Sequence, residues 1–170
     1  MFVQTIYDSR AIAHINQRDI DVLTAQSLPY NLKNGLTSFL YYDDWRFLQV
    51  IEGCPENVAA VMARIDRNRI HHNLKVRLMS RKSTRDFARW PFGSISQADT
   101  ELHHVLKSMG LRDLFKTNVL EAIKILSRTA GRKYRTMSQM EKQALTDIDL
   151  LKPVEPDQIS LTEDMLGLRH

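Results

Sequence analysis

Cysteine is almost missing from this chain. The single residue, Cys54, has no partner for an intramolecular disulfide, which fits a reducing compartment, and read on its own it is a small turn residue. No apolar run approaches the ~20 residues that a membrane helix needs. No basic-then-apolar leader opens the sequence, so the expectation is a cytoplasmic protein with no membrane partner. Glycine-rich phosphate loops and G-x-S-x-G elbows are absent as well, and nothing announces an enzyme. Four of the six histidines come as adjacent pairs, His71-His72 and His103-His104. Neighbours on a helix diverge by ~100°, and no cysteine or carboxylate stands at ligand spacing, so no metal is expected. An excess of charge of one sign is also missing. The 24 basic and 20 acidic residues give a net charge of +4 and a pI near 9.3, a mild imbalance from which nucleic acid is not expected as a partner. The densest basic cluster, Arg132, Lys133 and Arg135, reads as a solvated face or a helix–helix loop.

What is present is the composition of a globular protein, 43% hydrophobic and 26% charged over 170 residues, enough for one core with an appendage. Residues 2 to 8 have strand composition. Residues 17 to 28 follow as a helix, with Asp19 and Asp21 in its first turn and Pro29 at its end. The segment 35 to 42, the pair Asp43-Asp44 and the segment 45 to 53 read as a β-hairpin. Pro55 opens a second helix whose buried stripe is Val58, Val61, Met62 and Ile65. Residues 74 to 80 alternate as a fourth strand, and a short extended piece follows Trp90. With right-handed crossovers this order gives an α+β, ferredoxin-like βαββαββ sheet with two helices on one face. Helical segments near 99–109, 118–129 and 137–148 form a C-terminal extension, for which the free sheet face or self-association offers a place to pack. The expected division is 1–97, 98–152 and a loosely ordered tail, 153–170.

In the stretch Phe47 to Gly53, FLQVIEG, one amide sits among apolar residues on a strand. A buried amide without a partner costs roughly 1 to 3 kcal/mol. In a ferredoxin-like order the first and third strands are neighbours, so Tyr7 and Gln49 can meet across them. Asn31 would follow the first helix, at the start of the second strand. A Tyr–Gln hydrogen bond between two core groups would satisfy both on its own.

Four separated motifs carry a more specific reading: Tyr7-Asp8-Ser9-Arg10-Ala11, Asn31 to Thr37 (NLKNGLT), Phe47 to Gly53, and Trp90-Pro91-Phe92-Gly93. Together they resemble the BLUF domains, blue-light sensors that hold a flavin between the two helices of such a sheet, over roughly residues 2 to 95. The resemblance implies that Tyr7 is the tyrosine that reduces the photoexcited flavin and that Gln49 bridges it to the flavin N5 and O4 edge. It implies that Asn31 bonds the carbonyl and N3 side of the ring, that Arg64 lies near the pyrimidine ring, and that Leu23 and Ile65 sandwich the ring plane. Ser27, Asn68 and His71 would lie around the pocket, and Trp90 would report the switch to the last strand. The implied cofactor is FAD, with FMN or riboflavin as alternatives. The implied output is a hydrogen-bond switch in a short, single-domain photoreceptor that is not itself an enzyme, signals to a separate effector or regulator protein and forms a homo-oligomer.

Four residues depart from the family pattern. Ser38 stands at a usual glycine, Asn68 at an aspartate, Ile70 at an arginine and Phe92 at a methionine. Ile70 removes a cation that Arg69 could replace only by pointing about 100° away on a continuing helix. Two other readings stay open on the sequence. One is a flavin-free interaction module. The other is a ferredoxin-like nucleic-acid binder, which would need Trp45, Tyr42 and Arg46 on an open sheet face.

Overall fold

Strands β1 (Phe2–Ala11) and β3 (Arg46–Gly53) run antiparallel in the middle of a five-stranded sheet, with Tyr7 directly opposite Gln49. The computed structural model describes residues 1–146. The tail expected at 153–170 and the end of the helix expected at 137–148 lie outside the described residues. The remaining elements are α1 (Gln17–Lys33), β2 (Thr37–Tyr42), α2 (Pro55–Asp66), β4 (His71–Lys82), β5 (Gly93–Ser96), α3 (Thr100–Ser108), α4 (Val119–Thr136) and α5 (Gln139–Ala144). Strand order is β4-β1-β3-β2-β5, antiparallel throughout except that β5 runs parallel to β2. This is the expected ferredoxin-like α+β layout.

Side-chain alternation divides the sheet between two cores. On one face Leu40, Tyr42 and Phe47 pack with Ile20, Val22 and Leu28 of α1, while Tyr7 and Ile51 pack with Val58 and Val61 of α2. On the other face Ile6, Phe39, Tyr41, Leu48 and Val50 share a cluster with Leu102, Val105 and Leu106 of α3 and with Ile123, Ile125, Leu126 and Ala130 of α4. The C-terminal helices therefore cover the second sheet face. The nucleic-acid reading required that face to be open, and Tyr42, which it used, is buried on the α1 side.

Helix α1 differs from expectation. Asn16 caps it in a reciprocal box with Asp19, as the sequence pattern favours. Pro29 does not end the helix, which continues to Lys33. Proline removes one N–H but leaves later carbonyls free to be bonded. Here the Asn34 side chain and backbone both donate to the Tyr30 carbonyl, at 2.8 and 3.1 Å, and Leu36 N–H donates to the Asn31 carbonyl at 2.9 Å. Gly35, with φ +60°, then turns the chain, the left-handed stop that glycine allows. Asn31 consequently lies in the last turn of α1 rather than at the start of β2.

Glu52, 1% exposed, holds the connection between β4 and β5 against the sheet. Its Oε1 accepts from Gln4 Nε2 and the Asp86 N–H, each at 2.8 Å, and its Oε2 from Thr37 Oγ1 at 3.1 Å and the Phe87 N–H at 3.0 Å. Beyond it, the connection re-enters the sheet at Gly93, where a Cβ would come within 2.6 Å of Phe39 and Trp90 ring atoms. Replacing Glu52 by Gln puts an NH2 group against donors and leaves buried N–H groups unpaired. Glu52→Gln should lower stability by about 3 kcal/mol, read as a fall in the urea midpoint at unchanged denaturant slope.

Candidate functional site

Between the sheet and helices α1 and α2 lies a cavity of about 530 Å³, within the roughly 300–1,000 Å³ of small-molecule sites. Strands β1 and β3 supply its floor through Tyr7, Phe47, Gln49 and Ile51. Helix α1 contributes a helical stripe, Leu23, Gln26, Ser27, Tyr30 and Asn31, and α2 with its C-terminal turn contributes Val61, Arg64, Ile65, Arg67 and Asn68. Leu40 of β2, Ile70, His71 and Phe92 complete the lining. Every residue that the sequence placed around a pocket is therefore brought together here.

Trp90, which the resemblance makes a reporter of the switch to the last strand, does not line the cavity. Its side chain lies on the opposite sheet face, edge-on to Phe39 at 5.2 Å and to Tyr134 of α4 at 6.2 Å between ring centroids. Its neighbours in the chain do reach the cavity side: Phe92 lines it, and the Pro91 carbonyl accepts from Asn31 Nδ2 at 2.7 Å.

Tyr7 donates its hydroxyl to Gln49 Oε1 at 2.5 Å, and both residues are buried. Burial pushes the Tyr7 phenol well above its ordinary value, because a phenolate in a dry site would lose its hydration. Tyr7 is thus a protonated donor at physiological pH, and its bond to Oε1 leaves the Gln49 amide nitrogen for a partner in the cavity. Asn31 Nδ2 faces Pro91 O and Ser38 Oγ, the latter at 3.1 Å, so its Oδ1 is an acceptor for whatever occupies the space.

His71 lies between the rings of Tyr7 and Phe47, at centroid distances of 6.5 and 6.3 Å. Its Nε2 lies 2.7 Å from the Ile65 carbonyl and so carries the hydrogen, while its buried Nδ1 has no bonding partner among the described residues. Burial lowers the imidazole pKa from its usual value, against the opposing pull of the Ile65 carbonyl.

The sequence missed Gln26, Tyr30 and Arg67. Continuing the helical spacing from Leu23 would have found Gln26 within the expected helix, and Tyr30 as well had Pro29 not been read as a stop. Arg64 stacks over the Tyr30 ring at 4.4 Å, a cation–π contact joining the helices beside the cavity. Ile70, 6% exposed, sits in the apolar cluster of Phe47 and Phe92. The cations that line the space are Arg64 and Arg67, with Arg67 rather than Arg69 in the lining.

The fold and site define a ferredoxin-like domain with a cavity, lined by apolar and polar side chains, between two helices and the sheet. Residues 2–93 match the family model BLUF, sensors of blue-light using FAD. The chain belongs to this family of blue-light flavin sensors. Among solved structures it is similar to BlrB, a BLUF protein in its dark state, at TM-score 0.66 and 23% identity over 77% of this chain and 96% of that one. It is also similar to BlsA in its photo-activated state, at TM-score 0.62 and 23% identity over 76% and 95% of the two chains. A bacterial light-regulated adenylyl cyclase matches at TM-score 0.58 and 21% identity, covering 76% of this chain and 40% of that one. At these identities the likeness is one of fold. None of the curated proteins matches the chain. No helix among the described residues is long and apolar enough to cross a membrane, and no group of side chains among them could hold a metal ion.

The His71 environment has a consequence for pH. With the imidazole pKa lower in the folded than in the unfolded state, the unfolded chain takes up a proton first as pH falls. Stability should be fully present above about pH 6.5 and decline as pH falls from there to the depressed folded value. His71→Gln should flatten that part of the profile, measured by urea unfolding at pH 7.5, 6.5 and 5.5.

Proposed function

We propose that the cavity holds the isoalloxazine ring of a flavin and that the Tyr7–Gln49 pair is a light-operated hydrogen-bond switch. The observation that carries this reading is the 2.5 Å bond from Tyr7 to Gln49 Oε1, set at the edge of a space with the volume of a small-molecule site. The donor set fits such a ring. An amide donor at Gln49 and an acceptor at Asn31 Oδ1 suit a planar heterocycle with both kinds of edge, and Leu23 and Ile65 supply apolar walls for its faces. Arg64 is the cation that the resemblance puts near the pyrimidine ring, and Arg67 adds one for the phosphate chain of FAD or FMN, which riboflavin would leave without a partner.

A bound flavin supplies blue absorption and an excited state that accepts an electron. The protein controls protons and orientation. Tyr7 keeps its proton in the dark because burial disfavours the phenolate, and a proton leaving its hydroxyl has Gln49 Oε1 as the nearest acceptor. Rotation or tautomerisation of the Gln49 amide then exchanges the atom that donates with the atom that accepts, while both flanking ladders hold its backbone. The segment Trp90-Pro91-Phe92 offers a route for the output, with Phe92 at the cavity and Trp90 against Tyr134 of α4. The signal would pass to a separate effector or regulator protein, or to a further copy of the chain. Exposed Leu120 and Met140 give the C-terminal helices apolar surface for such a contact.

A flavin-free module explains less. Interiors pack with few voids, and a core Tyr–Gln bond needs no cavity beside it. The test is an absorption spectrum of the purified protein before and after blue light. A yellow protein with a small, reversible red shift is expected, and a colourless one that stays colourless with added FAD would refute the reading. Tyr7→Phe and Gln49→Leu should each abolish the shift with flavin still bound; a normal photocycle in either would show these roles to be wrongly assigned.

A further inference from the structure

Helix α4 carries five cations, Lys124, Arg128, Arg132, Lys133 and Arg135, and one acid, Glu121. Arg132 pairs with Glu101 of α3, and Lys133 Nζ lies 2.6 Å from Asp99 Oδ2. Lys124, Arg128 and Arg135 are exposed and have no anionic partner among the described residues. Glu121 accepts from Asn118 Nδ2 at 2.9 Å, and Glu141 of α5 accepts from the Ser138 N–H at 2.6 Å. Positions 120, 124, 128, 131 and 135 recur at helical spacing, away from the buried Ala122, Ile125, Leu126 and Thr129. Leu120, Lys124, Arg128, Gly131 and Arg135 therefore form one line along the outer face, roughly 22 Å long. Leu120, 67% exposed, opens the line. The Arg135 guanidinium leans back toward Gly131, 3.7 Å from where a Cβ would stand there.

We infer that this line of α4 is the docking surface for a partner protein that presents an acidic amphipathic helix, with carboxylates one turn apart and an apolar residue at one end. The inference deepens the reading of a switch that signals to a separate protein, and rests on it for the role of the docked molecule as receiver of the signal. Charge complementarity carries it. Lys124 and Arg128 stand one turn apart, the separation of two carboxylates on one face of a facing helix. A phosphate backbone suits the line less well, because three cations neutralise few phosphates, Leu120 has no part in such a contact, and the line holds no aromatic for a base to stack on. A second copy laid line against line would set cations against cations. On its inner side the same helix meets Trp90 through Tyr134, at 6.2 Å between ring centroids, so a repacking around Trp90 reaches the docking surface through a single helix.

The probe is a fluorescently labelled synthetic helical peptide with glutamates one turn apart on one face and a leucine at one end, titrated with the full chain by fluorescence anisotropy. Wild type should bind it, more weakly as salt is raised. Lys124→Glu/Arg128→Glu/Arg135→Glu should weaken binding at least about tenfold, and Arg128→Gln alone should act in the same direction. Arg18→Glu/Lys33→Glu/Lys75→Glu, the same change of net charge on other elements, should bind as wild type does. Leu120→Ser should weaken binding of the peptide severalfold. No binding by wild type, or equal losses in the two triple variants, would overturn the inference. So would tighter binding of duplex DNA or of phosphatidylserine vesicles that the α4 variant loses, which would assign the line to nucleic acid or to a membrane. Binding that appears only in Glu155→Gln/Asp157→Asn/Glu163→Gln/Asp164→Asn would assign it to the chain's own C-terminal segment, with the same consequence. Absorption spectra of the same samples separate the two readings. A colourless protein that binds the peptide would refute the flavin reading and leave the docking surface standing, and a photoactive protein whose α4 variant binds as wild type does would do the reverse.

Discussion

The register of β3 against β1 is the constraint on which the site depends. Side chains alternate along a strand, so a slip of one residue would send every group to the other face. Gln49 would then point into the core beneath α3 and α4, and Leu48 and Val50 into the cavity. Both ladders of β3 oppose such a slip. Phe47 and Ile51 face α1 and α2 with Gln49 between them, while Leu48 and Val50 complete the cluster on the opposite side. Glu52 at the end of the strand adds a directional lock, because its four bonds fit only one register. The apolar residues around Gln49 thus decide where the amide points.

Three consecutive residues connect the two faces of the sheet. Trp90 packs on the side of the C-terminal helices, the Pro91 carbonyl holds Asn31, and Phe92 lines the cavity. The segment can do this because Glu52 fixes its upstream end and Gly93 allows its downstream end to approach Phe39. This connection is where residues lining the cavity on one face meet the packing of the C-terminal helices on the other.

Much of this was legible in the sequence, and the failures have physical causes. Strand alternation and the helix stripe of α2 identified the sheet order and the cross-strand meeting of Tyr7 with Gln49, because period-2 and period-3.6 patterns are set by burial. Pro29 misled, since its cost to a helix is one hydrogen bond and tertiary contacts in the last turn outweighed it; Tyr30 and the helical setting of Asn31 were lost with that reading. The motif around Trp90 did not indicate which sheet face the indole would take, because a connection without regular periodicity does not encode facing. Ile70 looked like a missing cation. Its burial beside Phe47 and Phe92 shows a wall position, and the cations that line the cavity are Arg64 and Arg67.

The strength of the Tyr7–Gln49 bond bears on what such a site can do. A neutral hydrogen bond contributes a net ~0.5–1.5 kcal/mol, so the two orientations of a buried amide differ by little unless a third group distinguishes them. Tyr7 alone favours Oε1 as the acceptor. An occupant that offers an acceptor to the amide nitrogen reinforces this arrangement, and one that offers a donor opposes it. A ligand can shift a two-state equilibrium only by its differential interaction with the states, and here the differential is carried by one atom exchange in a dry setting. Backbone movement is unnecessary, because β1 and β2 hold the Gln49 main chain from both sides. Any change must therefore leave the site through side-chain packing around the cavity, where Leu40, Phe47 and Phe92 form one contiguous apolar cluster.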